Sequence, residues 1–91
     1  MDYIDLSKVK KRLKKVPIEI IRRIQRWALY VETIGLLETR KISGLHDEPL
    51  QGKWKGFRSV RLGRKWRAIY KHKKDGSIHI AEVEEITPHD Y

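Results

Sequence analysis

The chain has 91 residues and carries 21 lysines and arginines against 12 acidic residues, which gives a formal charge of +9. So short a chain predicts a single domain over residues 1–91, and so positive a charge predicts a polyanionic partner, either nucleic acid or an acidic protein. The absence of cysteine excludes disulfides, a thiolate nucleophile and a cysteine-based zinc site, and four scattered histidines do not suggest a metal site, so no metal or cofactor is expected. No apolar run reaches the roughly 20 residues of a membrane span, and the first residues lack the apolar core of a signal peptide, which predicts a cytoplasmic protein with no membrane partner.

The first half of the chain is predicted to be helical. Ile4 and Leu6 fit an edge strand, and Ser7 can cap a short helix over "KVKKRLKKV". A second helix is predicted to begin near Pro17, because apolar residues then recur every three or four positions up to residue 34, and Gly35 is a plausible terminator. The many basic residues on both helices are expected to form mainly a solvated face.

The second half of the chain is predicted to form strands. "FRSVRL", "WRAIYK" and "IHIAEV" are short and rich in β-branched and aromatic residues, and they are separated by turn-forming segments. The sequence therefore predicts three antiparallel strands. The predicted fold class is therefore α+β, with an N-terminal helical hairpin packed on a small twisted antiparallel β-sheet.

Side-chain alternation predicts which residues of this sheet face the helices. If Val60 and Leu62 face inward, as do Ala68 and Tyr70 on the next strand, then Arg61 and Arg67 point to the opposite, open face. We therefore expect these two arginines to lie close together. Such arginines are also common as ordinary solvent-side residues of a half-exposed sheet, and the pattern alone does not separate the two interpretations.

One combination of segments resembles a known family. "DEPLQGKWKGFRSVRL" contains "EPL", a short basic spacer from Gly52 to Gly56 and an "R-x-V-R-L" strand; "WRAIY" follows, and the chain ends in "HDY". Together with the helical first half, this resembles the RelE/ParE superfamily of toxins from bacterial type II toxin–antitoxin modules. It is more similar to the messenger-RNA interferases of the RelE, YoeB, YafQ and HigB kind than to the gyrase-directed ParE toxins.

The resemblance implies a RelE-like fold and a set of site residues. Glu48 falls where YoeB-like toxins have a catalytic glutamate, and Arg67 falls on the arginine of the corresponding strand. His89 and Tyr91 resemble the terminal histidine and tyrosine, although "HDY" places one residue between them. Ser59 stands where RelE-like toxins carry a lysine. The resemblance further implies a cognate acidic antitoxin, and messenger RNA in the decoding site of the ribosome as the substrate.

The chemistry of metal-free RNA cleavage gives these residues roles. Glu48 would be the general base that deprotonates the ribose 2′-hydroxyl, and such groups contribute roughly 10²–10⁴-fold each. Arg67, with Arg61 beside it, would hold the phosphate and stabilise the charge of the transition state, for which planar guanidinium groups are well suited. The alternative for "DEP" is a simple turn, which residues of this kind also favour.

The remaining roles fall to the C-terminus and to exposed cations. His89 would protonate the departing 5′-oxygen, with His46 as the other candidate, because an ordinary histidine titrates near pH 6.5. Tyr91 would stack on a base or hydrogen-bond the phosphate. Contacts to the RNA backbone are predicted for the basic residues of the second half: Lys53, Lys55, Arg58, Arg64, Lys65 and Lys71.

Two classes of function remain open from the sequence. The first is a ribosome-dependent messenger-RNA endonuclease that blocks translation. The second is a non-catalytic protein, either a ParE-like poison of DNA gyrase or a plain nucleic-acid-binding module. The set Glu48, Arg67, His89 and Tyr91 favours the nuclease, because a gyrase-binding protein has no evident need for it.

Overall fold

The computed structural model describes residues 1–88, and these form an α+β fold, as predicted. The helices are α1 (Lys10–Leu13), α2 (Ile18–Ile34) and α3 (Leu36–Thr39). The strands are β1 (Tyr3–Asp5), β2 (Glu48–Pro49), β3 (Arg58–Arg61), β4 (Arg67–Asp75) and β5 (Ile78–Thr87). Single 3-10 turns lie at Ser7–Val9, Ser43–Leu45 and Gly52–Trp54.

The sheet is mixed, so the prediction of a purely antiparallel sheet is wrong in one respect. The five strands lie in the order β1-β5-β4-β3-β2, and β1 runs parallel to β5, with Ile4 opposite Ala81. The other neighbours are antiparallel. The difference has a topological cause: β3, β4 and β5 follow one another through short turns, which allow only antiparallel pairing, whereas β1 is separated from the other strands by all the helices. The edge strand expected around Ile4 is present.

The helical half contains one long helix rather than two arms of a full hairpin. The helix α2 has the predicted length, buries Ile20, Ile24, Trp27 and Val31, and ends at Gly35, whose φ of 90° suits glycine. The first arm is only a 3-10 turn followed by the single turn α1. Its residues are mostly lysine and arginine, which repel one another and leave few apolar groups to bury.

The start of that arm is held by an acid, and the cap position is not the predicted serine. The cap position is Leu6, which makes no side-chain capping bond, and the backbone N–H of Ser7 donates to Asp5 Oδ1 at 2.9 Å. Asp and Ser both favour a capping position, so the residue types alone do not separate the two candidates.

The core lies between α2 and the inner face of the sheet. Val60, Leu62, Ala68 and Tyr70 are buried there, which confirms the predicted alternation. Trp27 of α2 is fully buried, and its ring lies 5.6 Å from that of Tyr70, centroid to centroid. The side chains of the same strands that point away from the helices therefore form the outer face.

Candidate active site

Two cross-strand rows of side chains on the outer face contain three of the predicted site residues. Residues directly opposite each other in a sheet share a face, with Cβ atoms about 4.5–5.5 Å apart. The first row runs across four strands as Glu48, Ser59, Ile69 and Glu85. The second row is Arg61, Arg67 and Thr87. The predicted proximity of Arg61 and Arg67 is thus confirmed, and Glu48 lies two strands and one row away from Arg67.

Glu48 belongs to a short edge strand rather than to the turn that was the alternative. Glu48 is exposed, and its carboxylate makes no hydrogen bond or ion pair within residues 1–88. Arg67 differs, because it is partly buried and interacts with another group of the protein. The arrangement therefore combines an accessible carboxylate with a pair of guanidinium groups on one surface.

The neighbouring acid, Asp47, is buried and fully engaged. Its side chain is only 1% exposed. Asp47 Oδ1 accepts from Arg58 Nε at 2.7 Å, and Oδ2 accepts from the Tyr70 hydroxyl at 2.7 Å. Burial, followed by the Asp47 carboxylate, raises the pKa of Tyr70 far above its ordinary value, so the phenol remains a donor. Asp47 thus ties the segment before Glu48 to β3 and β4.

The network continues along β4 and β5 through two partly buried histidines that sequence reasoning did not select. Arg40 Nε donates to the Tyr70 hydroxyl at 3.2 Å, and Arg40 Nη2 lies 2.7 Å from His72 Nδ1. His72 Nε2 in turn lies 2.8 Å from His79 Nδ1. Because arginine can only donate, His72 Nδ1 must accept. The proton of a neutral His72 is then on Nε2, and this N–H donates a hydrogen bond to His79 Nδ1. The network is complete only with neutral His72, whose pKa is lowered by burial first and by the charge of Arg40 next.

The outer face is less open than expected at its centre. Ser59 and Ile69 each expose only 1% of their surface, although they lie outside the core beneath α2. Beyond them, the row ends at Glu85, an exposed acid that sequence reasoning did not consider. The nearby acids Glu82 and Glu84 are paired with Lys8, but Glu85 makes no ion pair within residues 1–88.

The signal for Glu85 was present in the sequence. A β-bulge shifts the register here: Ile69 pairs with Glu85 and Tyr70 with Val83, so Glu84 is the extra residue in β5. Two successive polar residues in an otherwise alternating strand mark such a bulge.

The predicted RNA-binding residues lie on β3, on β4 and in the loops next to β3. Those that are exposed are Lys53, Lys55, Arg64, Lys65 and Lys71. Arg58 differs: its guanidinium binds Asp47 and is 23% exposed, so its observed role is to hold the β2 segment in place. Lys71 Nζ lies 5.9 Å above the ring of Phe57, which also packs edge-on against Trp54.

The remaining expectations concern the C-terminal residues, metal binding, the membrane and His46. His89 and Tyr91 lie outside the described residues. Within residues 1–88 no group of three or more histidine or acidic side chains is arranged to hold a metal ion. No helix in that part of the chain has both the length and the apolar character needed to cross a membrane. His46, the other candidate acid, is exposed in a left-handed conformation with φ of 45°.

Comparison with solved structures identifies the fold. A "YoeB/ParE toxin from Agrobacterium tumefaciens" superposes with a TM-score of 0.67 over all of both chains, at 20% identity. The chain has the fold of this toxin. YafQ from E. coli superposes with a TM-score of 0.52 at 20% identity, and a YafQ mutant with 0.59 at 22%, each over 90% of this chain and 89% of the other. No protein-family model and no curated protein matches the sequence.

Proposed function

We propose that this protein is the toxin of a type II toxin–antitoxin module of the RelE/ParE superfamily, and that it cuts messenger RNA on the ribosome. Two findings support the proposal: the fold likeness to the YoeB/ParE toxin, and the sequence motifs that led to the same superfamily. The observation that carries the nuclease is the register of the sheet, which brings the accessible Glu48 onto the same face as Arg61 and Arg67.

The proposed reaction needs no metal. The Glu48 carboxylate takes the proton of the ribose 2′-hydroxyl, the 2′-oxygen attacks the adjacent phosphorus, and the bond from phosphorus to the 5′-oxygen breaks. Arg67 and Arg61 stabilise the negative charge that builds up on the phosphoryl oxygens. The leaving 5′-oxygen receives a proton from His89, so the products end in a 2′,3′-cyclic phosphate and a 5′-hydroxyl.

Substrate positioning is assigned to groups around this centre. Tyr91 stacks on a base, and the exposed lysines and arginines of the second half contact the phosphate backbone. The ribosome supplies the remaining geometry by holding the codon in its decoding site. This function requires a cytoplasmic location.

Translation of a defined messenger RNA with purified ribosomes, followed by primer extension, tests the function. We expect cuts in ribosome-bound message, little cutting of naked RNA, and unchanged cutting in the presence of a metal chelator that spares the ribosome's magnesium. Glu85→Gln is the matched control for Glu48→Gln, because it removes an exposed carboxylate from the same row. Intact message together with stalled DNA replication in cells would refute the nuclease and support a gyrase poison.

The proposed partner is a cognate acidic antitoxin that covers the outer face. Contacts to Arg61 and Arg67 would be screened over about 8–10 Å at physiological ionic strength, so we expect affinity to fall with added salt. Because exposed ion pairs contribute only about 0–1 kcal/mol each, an apolar anchor must supply the rest. The test is the affinity for the co-encoded partner at low and high salt, in wild type and in the double variant Arg61→Ala with Arg67→Ala. If neither salt nor the double substitution changes this affinity, the antitoxin binds elsewhere.

A further inference from the structure

A cleft of about 380 Å³ lies beside Arg61, between α2 and the turn that joins β3 to β4. We call it the arginine cleft, because its lining includes Arg23 and Arg26 of α2, Arg61 of β3 and Arg64 of the turn. Within residues 1–88, none of these four guanidinium groups forms an ion pair with a carboxylate. Uncompensated charge of one sign around a concave surface concentrates the field there, so the cleft attracts anions.

The fold brings the walls of this cleft close together at Gly63. A Cβ on Gly63 would lie 3.0 Å from Ile20 Cδ1 on α2, so any larger residue there would require the Ile20 side chain to shift. Arg61 Nε donates to the Gly63 carbonyl oxygen at 3.3 Å. Arg61 therefore contributes to two surfaces: it lies opposite Arg67 on the outer face of the sheet, and its side chain also lines the arginine cleft.

The other lining groups point to a nucleotide rather than to a simple anion. Tyr30 is 37% exposed at the cleft and offers an aromatic face to a base. Trp27 also lines the cleft, and its buried indole N–H has no hydrogen-bond partner within residues 1–88, so one donor remains unused. The volume falls in the range of small-ligand sites, about 300–1,000 Å³. A protein partner typically contributes about 20–30 residues to an interface, which this cleft is too small to receive.

We propose that the arginine cleft binds a nucleotide of the RNA strand next to the cleaved position. The guanidinium groups hold its phosphate, and Tyr30 stacks on its base. This inference rests on the proposed function, because Arg61 connects the cleft to the face that carries Glu48 and Arg67. The RNA then follows a continuous path from the outer face, past the β3–β4 turn, to α2.

Binding of short RNAs to the full-length protein tests the cleft. The probes are single-stranded RNAs of two and of five nucleotides, with 2′-O-methyl riboses that prevent cleavage, and the readout is fluorescence anisotropy at several salt concentrations. We expect Arg23→Ala with Arg26→Ala to weaken binding of the longer RNA about tenfold or more, since charge-assisted hydrogen bonds to phosphate are strong. The dinucleotide, which spans only the cleaved position, should bind as it does to wild type.

The control pair is Lys15→Ala with Arg22→Ala, which removes the same charge from exposed positions outside the cleft. The slope of log affinity against log salt should become shallower by about 0.7 for each phosphate that the variant no longer neutralises. Tyr30→Phe should keep the affinity that Tyr30→Ala loses. Equal losses in the cleft and control pairs, or unchanged affinity for the longer RNA, would overturn the proposal.

The result also separates this inference from the proposed function. If the variants lose affinity for an acidic partner but not for RNA, the cleft is a protein-binding site and the proposal is wrong. If wild type fails to cut ribosome-bound message and yet shows the length-dependent loss, the nucleotide site stands and the nuclease fails. Cutting by wild type with no effect in the cleft variants overturns the cleft alone.

Discussion

Replacing Asp47 with alanine should destabilise the protein strongly, although the residue lies next to an exposed acid. The change removes both acceptors of a carboxylate that is 1% exposed, which leaves the Tyr70 O–H without an acceptor and the Arg58 guanidinium without its carboxylate. Breaking a buried pair costs about 3–5 kcal/mol, and because Arg58 is 23% exposed and recovers some hydration, we expect about 2–4 kcal/mol. A domain of this size has a free energy of unfolding of about 5–14 kcal/mol in total. The midpoint of thermal unfolding should therefore fall by about 10–25 °C.

Urea unfolding followed by circular dichroism at pH 7 measures this loss. The matched control is Glu48→Ala, which removes the adjacent exposed carboxylate and should change the free energy of unfolding by about 0.5 kcal/mol or less. Tyr70→Phe, alone and combined with Asp47→Ala, completes a double-mutant cycle, in which a real contact gives a coupling energy of about 0.5–3 kcal/mol. An Asp47→Ala protein as stable as the control variant would refute the assignment of Asp47 as a buried anchor.

Three more predictions concern the site and its support. Glu48→Gln should lower cleavage about 10²-fold or more with unchanged unfolding, and primer extension showing equal losses in Glu85→Gln would contradict a special role for Glu48. Arg67→Ala should cost about 3–4 kcal/mol of transition-state stabilisation, measured as single-turnover cleavage, and a purely binding defect would argue against this role. Because the pKa of His72 is lowered in the folded protein, the unfolded chain binds the proton first as the pH falls. The contribution of neutral His72 to the free energy of unfolding should therefore be fully present above about pH 6.5 and decrease below it. Urea unfolding between pH 5 and 8 measures this, and a His72→Gln variant with the same slope as wild type would exclude His72 as its source.

The elements that the sequence predicted well are those with a strong local pattern. The helix α2 follows from its apolar spacing and from Gly35, and β3 and β4 follow from alternation that also brings Arg61 and Arg67 together. The parallel pairing of β1 could not be predicted, because it depends on where the chain returns after all the helices have packed. Local signals describe elements, whereas pairing between distant segments is a property of the whole chain.

The site was predictable only where a motif or an alternation pointed to it. Glu48 was selected by resemblance; it is exposed in the structure, and its catalytic role stays a prediction. The burial of Asp47 could not be inferred, since its partners Arg58 and Tyr70 come from two other strands. The local sequence pattern does not show which of the two adjacent acids before Pro49 is buried and which is exposed.

The fold makes Asp47 and Glu48 different by the geometry of an extended chain. Successive side chains of a strand point to opposite faces, so Asp47 turns inward to Arg58 and Tyr70, while Glu48 turns outward to the face that carries Arg61 and Arg67. A slip of one residue would bury Glu48 and expose Asp47, and the buried hydrogen bonds of Asp47 oppose that slip. The anchor and the proposed base are therefore separable by experiment: loss of Asp47 should reduce cleavage increasingly as the temperature rises toward the lowered unfolding midpoint. Loss of the Glu48 carboxylate should reduce cleavage equally at every temperature at which the protein is folded.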